Sequence, residues 1–391
     1  MISNIKTTSS SRIHAFDSLR AIMMLLGLVV HSAITYGVYE DLGSWPIRDS
    51  VTHLSNDFIV VLIHSFRMQI FFLVSGFFGS MLFYDKNPLA MIKNRISRII
   101  LPFIVFIILL WPAIVFGFGY SMLIFSGETN PIQVIAAFFS GFDMLIPKFT
   151  FHLWFLYYLT LITTSTIILA LLLAKTPKIL RYINTTFKSI IQQSLVRILI
   201  FSSITATIYY IIGTWSVTTS ISFVPDINMF LYYSSFYIIG WILYKSKSLL
   251  DSFTKYDLFI TSLGIILFTF YFFMNESFTF VSHVILKSII VWLLVFGITG
   301  LFIRYTSEYS AIMKYLSDAS YWVYLVHMPF TAIIPGFISD WSVSATFKFL
   351  FVFIVTSLIC FLSYHFLVRG TFIGEFLNGR KYSRKLYKKL I

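Results

Sequence analysis

The chain has 391 residues, 58% of them hydrophobic and 19% aromatic. Only 12% are charged, against about 25% in an ordinary soluble domain, which excludes a soluble enzyme and reads as a membrane protein of several spans. A formal net charge of +13 would suit a nucleic-acid partner, but the cations flank apolar runs, which makes them topology signals and excludes nucleic acid.

Ten apolar runs follow one another, at roughly 16–38, 58–84, 99–125, 150–174, 197–215, 227–244, 256–274, 281–303, 319–338 and 346–368. Each is near or above the ~20 residues that a spanning helix needs, except the shorter 227–244. The runs are continuously apolar, whereas the strands of a membrane barrel alternate, so the fold class is all-α: a polytopic membrane helix bundle of about ten spans. A short N-terminus over 1–14, a transmembrane domain over 15–368 and a basic tail over 369–391 divide the chain. With the N-terminus in the cytoplasm, 24 of the 29 Lys and Arg residues fall on that side, leaving Arg48, Arg67, Lys148, Lys287 and Lys348. The positive-inside rule therefore places both termini in the cytoplasm. The tail GRKYSRKLYKK also attracts anionic lipid. The first run is too long, and too interrupted by Arg20, for a cleaved secretory signal. Cys360 is the lone cysteine, so one chain forms no disulfide, and no metal site is expected. The loops leave no room for a soluble domain.

Within these runs the ionisable residues carry the information, because such groups are costly in a bilayer and functional by default. In the first, AFDSLRAIMMLLGLVVHSAITYG, His31 returns to within about 20° of the face of Arg20, with Asp17 about 60° away. His31 lies roughly 16 Å deeper than Arg20. The plainer alternative is that Arg20 snorkels to the headgroups and His31 bonds a neighbouring helix. The second run descends from the opposite surface and carries His64 and Arg67 about 10 to 15 Å down. Its Ser75 and Gly79 read as a small-residue packing contact. The third begins KNRISRIILPF, and Arg95 and Arg98 share a face at the cytoplasmic surface. Two guanidiniums a turn apart can grip a pyrophosphate or phosphomonoester bidentately, or simply serve the positive-inside bias. His152 opens the fourth run at its outer entrance, and His327 lies near the midplane in the ninth. Histidines from four helices thus gather in depth.

On these residues the chain resembles the acyltransferase-3 family of multi-spanning membrane enzymes. The family pattern has an Arg, ten intervening residues and a His in the first span, here Arg20 and His31, and an Arg-x-x-Arg at the third, here Arg95 and Arg98. FDSLRA at 16–21, HSFRMQIFF at 64–72, HLWFL at 152–156 and YLVHMPF at 324–330 point to the branch that modifies periplasmic glucans. The resemblance runs from the first span to the ninth; the loops and tail match poorly. It implies an O-acyltransferase in the bacterial inner membrane. The acyl group, succinyl or acetyl, would come from cytoplasmic acyl-CoA (succinyl-CoA or acetyl-CoA) and pass to a hydroxyl of an envelope glycan.

The chemistry agrees with that implication. Arg20, Arg95 and Arg98, with Asp17 beside them, suit the anionic nucleotide of CoA, and the thioester could thread an apolar channel to His31. Imidazole is matched to removing a proton from a sugar hydroxyl near neutral pH, or could carry the acyl group covalently. Arg67 could stabilise an oxyanion or pair with the distal carboxylate of a succinyl group, with His64 and His327 close by. His152, Trp154, Tyr324 and Tyr321 are candidates for the sugar, the aromatics by stacking. Two rivals stand beside this reading. A transporter or flippase of a glycan or lipid-linked intermediate also places charge at the midplane, and a haem protein could use two midplane histidines as axial ligands. Repeated halves, which would favour a transporter, are not visible. An oligomer is left open.

Overall fold

A computed structural model describes residues 9–39, 45–138, 141 and 145–382. The start of the N-terminal segment and the last nine residues of the basic tail, 383–391, lie outside the described residues. Those described are predominantly helical, with no strand among them. Among the described residues, eight helical rods are long and apolar enough to cross a membrane. We label them α1 (His14–Tyr36), α2 (Leu54–Lys86), α3 (Pro88–Phe125), α4 (Phe151–Leu173), α5 (Ser194–Ile212), α7 (Asp257–Ser277), α8 (Phe280–Tyr305) and α10 (Ala345–Val368). Two further long helices, α6 (Ile227–Lys245) and α9 (Ala311–Phe337), stand where the sixth and ninth runs are expected. They are less apolar because they turn polar groups inward: Tyr232, Tyr237 and Tyr244 on α6, and Asp318, Ser320 and His327 on α9, are all buried.

The bundle is organised around α1, which touches α2, α8, α9 and α10, while α9 also lies along α3. Close approach of α2 and α6 rests on one glycine pair. A Cβ on Gly240 would lie 1.8 Å from the Leu73 carbonyl oxygen, and one on Gly76 would lie 2.0 Å from that of Tyr237. The small-residue contact expected at Ser75 and Gly79 is made at Gly79, against the Tyr237 hydroxyl of α6, while the backbone crossing itself falls at Gly76 and Gly240. The Ser75 carbonyl accepts a hydrogen bond from Arg95 at 3.2 Å, and Gly79 makes room for the Tyr237 hydroxyl and the Arg95 guanidinium. Backbone contact at this crossing needs Gly on both helices, which 76 and 240 supply.

Rod α2 is broken. Its first piece ends at His64, Ser65 and Phe66 form a turn, and a second helix starts at Arg67 and runs to Met81. The Gln69 side chain donates to the freed His64 carbonyl at 3.3 Å and to Tyr232 Oη at 3.1 Å, partly satisfying the backbone left open there. His64 and Arg67 thus flank an interruption at depth, where an unbroken helix was expected. At the start of α3 the α-helical Pro88–Arg95 passes into a π-turn, Ile96–Ile100, that carries Arg98. Between α4 and α5 lies an amphipathic helix, Pro177–Gln192, whose buried side chains are Phe187 and Ile191.

Candidate active site

Three cavities run in series through the bundle. The first, of about 290 Å³, is lined by Arg20, Arg95 and Arg98 with Asn94, Tyr321 and Asn378. Met24, Phe71 and Phe155 at its deep end also line a waist of about 20 Å³, where His31, Arg67, His152, Trp154, Tyr324 and His327 meet. His31, Arg67, His152 and Trp154 then border a third chamber of about 80 Å³ that extends to His64, Trp45, Phe151 and Ile221. Among the described residues no carboxylate lines any of the three, and the cations along them favour an anionic ligand.

At the basic end, Arg20 is half-exposed and paired with Asp17 at 3.0 Å. Asp17 does not line the cavity; it orients Arg20. Arg98 donates to the carbonyls of Phe376 at 2.5 Å and Glu375 at 3.0 Å, at the end of a short helix Phe372–Asn378 that follows α10. It ties that segment to α3 while still facing the cavity. Tyr321, considered for the sugar, sits in this basic cavity and donates to the Arg98 carbonyl at 2.8 Å. Its position on α9, six residues before His327, puts it at this end.

In the waist, His327 is the middle of three rings. Its centroid is 5.3 Å from that of His31 and 5.1 Å from that of His152. Backbone carbonyls fix the tautomers, because a carbonyl only accepts. Nδ1–H of His327 donates to Tyr324 O at 2.7 Å, leaving Nε2 buried with its lone pair free. Nε2–H of His152 donates to Leu325 O at 2.9 Å, leaving Nδ1 free, and Nδ1–H of His64 donates to Val60 O at 2.8 Å. His31 differs: its Nδ1 is buried without a partner, and the ring is held by stacking on Trp45 at 5.3 Å between centroids. It is the imidazole of the group that no carbonyl locks into one tautomer.

His152 is not at the entrance. It is 4% exposed and inside the waist. The Thr150 amide and hydroxyl both donate to the Ile221 carbonyl, at 2.7 and 2.8 Å. Phe151 takes a positive φ of 44°, and the 3-10 turn Phe151–Leu153 folds the ring inward ahead of α4. Tyr324 Oη then donates to the His152 carbonyl at 2.8 Å. Arg67 is 7% exposed and forms no ion pair among the described residues; its guanidinium packs where Gly27 has no side chain. Eleven of the twelve residues chosen from the sequence line this path, and Asp17 is the exception. Sequence reasoning missed Trp45, which arrives from a loop, and Gly27. The latter had a readable signal, a glycine one turn before His31 in an otherwise regular helix.

The family described as an acyltransferase domain matches residues 13–365, nearly the whole chain. The chain belongs to the acyltransferase-3 family. As a member of it, this is a multi-pass membrane acyltransferase. Similar proteins include the glucans biosynthesis protein C of Salmonella paratyphi B (strain ATCC BAA-1250 / SPB7), Salmonella dublin and Salmonella enteritidis PT4. Each is 24% identical over 388 residues, covering 96% of this chain and 97% of the relative. No solved structure matches this acyltransferase-3 protein.

Proposed function

We propose that the protein moves a small acyl group, acetyl or succinyl, from cytoplasmic acyl-CoA to a hydroxyl of a glycan on the other side of a bacterial inner membrane. The observation that carries this reading is the series of cavities, arginine-lined at one end and narrowing to a cluster of histidines that borders both other chambers. The Lys and Arg bias sets the basic end toward the cytoplasm. There Arg20, Arg95 and Arg98 are suited to the phosphates of CoA, with the thioester reaching past Met24 and Phe71 toward His31. The acceptor enters the chamber at Trp45 and Phe151. His31, free to bind a proton at either nitrogen, takes the hydroxyl proton as the oxygen attacks the thioester carbonyl; CoA leaves as thiolate. Arg67 stabilises the oxyanion. The name of the relatives, glucans biosynthesis protein C, supports a glucan as acceptor.

A glycan flippase is disfavoured because the sequence shows no repeated halves of the kind on which transporters are built. The waist of about 20 Å³ has no room for a porphyrin between His31 and His327. The deciding experiment is mass spectrometry of envelope glycans from cells with and without this chain. Loss of ~42 or ~100 mass units per acetyl or succinyl group is the expected result. Identical glycans would refute the reading.

A further inference from the structure

A fourth cavity, of about 190 Å³, adjoins the chamber at Trp45 and shares His64 and Thr219 with it. It exceeds by an order of magnitude the roughly 10–15 Å³ that a single water needs. Its walls come from both pieces of α2, from α6, α7 and α8, and from the loop after α5. Lys287, one of the cations that the topology count leaves unexplained, lines it. The lysine lies seven residues into α8, pairs with no carboxylate among the described residues, and has only the Tyr271 ring, 5.6 Å from its Nζ. Among the described residues no Asp or Glu lines the cavity. A cation within a membrane helix without a counter-charge is costly, and costly arrangements of this kind are kept for a ligand.

The rest of the lining has the chemistry of a saccharide site. Trp215 offers a ring face at the mouth, braced from behind by His283 stacked at 4.5 Å, which is itself hydrogen-bonded to Tyr271 Oη at 2.7 Å. Gln69 is 5% exposed, and its Oε1 is buried without a partner in the wall. Tyr232 stands beside it, and hydroxyls of the 216–219 loop complete the rim. Aromatic faces with convergent amide and hydroxyl groups suit sugar rings; the lone ammonium adds a demand for negative charge.

We infer that this cavity is the acceptor subsite and that Lys287 selects a glycan unit bearing an acidic group, a carboxylate or a phosphate ester. The inference rests on the proposed acyl transfer to a glycan and specifies what that glycan must carry.

The test uses the full chain in nanodiscs of neutral lipid, titrated calorimetrically with cellobiuronic acid and with cellobiose, which differ only in a carboxylate. The parent should bind the acid at least about tenfold more tightly. Lys287→Met should bring the two affinities together, and Lys287→Arg should keep them apart. Neutralising an unpaired cation removes a burden on folding, so Lys287→Met should purify normally. Gln69→Leu, which keeps the ammonium, should weaken both sugars alike. Equal binding by the parent, or selectivity retained in Lys287→Met, overturns the inference. So does displacement of the acid by free succinate at similar concentration, which would assign the cation to the acyl donor. Unselective binding by a protein that still acylates envelope glycan removes the acidic subsite and leaves the reaction standing. Selective binding by a protein that acylates nothing removes the reaction and its acceptor, so the two failures are separable.

Discussion

Gly27→Ala tests the central geometry with the smallest change available. A Cβ at this position would lie 2.6 Å from Arg67 Nη1, where ordinary contact begins at 3.4 Å, so the guanidinium must retreat by at least about 0.8 Å. It is the far end of a flexible side chain, so the backbone need not move. Replacing Gly by Ala inside a helix also adds up to about 1 kcal/mol of helix propensity. The fold should therefore be unharmed or slightly firmer. Catalysis should suffer, because misplacing a reacting group by about 1 Å can cost on the order of 10²-fold, and loss of an oxyanion donor costs about 10²–10³-fold. Acyl transfer by Gly27→Ala in membrane vesicles should fall between about tenfold and a hundredfold, with thermal stability in detergent held at the parent value. Gly119→Ala is the control: its nearest neighbour is 3.8 Å away, and its activity should match the parent. Full activity in a Gly27→Ala protein would mean that the position of Arg67 is immaterial, and the oxyanion role would fall with it.

His31→Ala should insert normally and lose at least about 10²-fold in transfer rate; retention of a third of parental activity would remove its role as base. The double change Arg95→Lys with Arg98→Lys keeps the charge and loses the forked geometry, and should raise the acyl-CoA Kd about tenfold or more by calorimetry; an unchanged Kd would reduce the pair to topology. Lys348 and Asp49 form a fully buried ion pair at 2.9 Å. Asp49→Asn should destabilise by about 3–5 kcal/mol in a denaturation series, with much of that loss recovered when Lys348→Met is added. In a Cys360→Ala background, a cysteine at Thr129 should label from the periplasm and one at Thr176 should not; the reverse pattern would invert the orientation.

Eight of the rods were legible because a bilayer favours long apolar helix, so length and hydropathy mark them; α6 and α9, which turn polar groups inward, were legible by their place in the succession of runs. His31 and His327 were legible for a related reason: an imidazole at that depth stands out against Leu, Ile and Phe. What stayed hidden depends on contacts across the chain. Nothing near Phe151 announces that a carbonyl at Ile221 will pin Thr150 and swing His152 inward. Arg98 gave no sign that carbonyls of Glu375 and Phe376 would hold it. The break at Ser65 carries neither Pro nor Gly, so helix periodicity runs straight through it. Lys287 read as a stray cation until α7 and α8 put it over a cavity.

The waist between the arginine cavity and the chamber bears on the energy state of the membrane. A cell that keeps a proton gradient cannot carry an open pore, yet the proposed chemistry joins its two sides. Where Met24, Phe71 and Phe155 flank a waist of about 20 Å³, there is room for about one water, so no continuous file of water joins the two chambers. With an acyl chain seated there the gap is plugged by the substrate itself. Vesicles holding the protein should thus keep an imposed pH difference throughout turnover, and shaving Phe155 to Ala should make them leak.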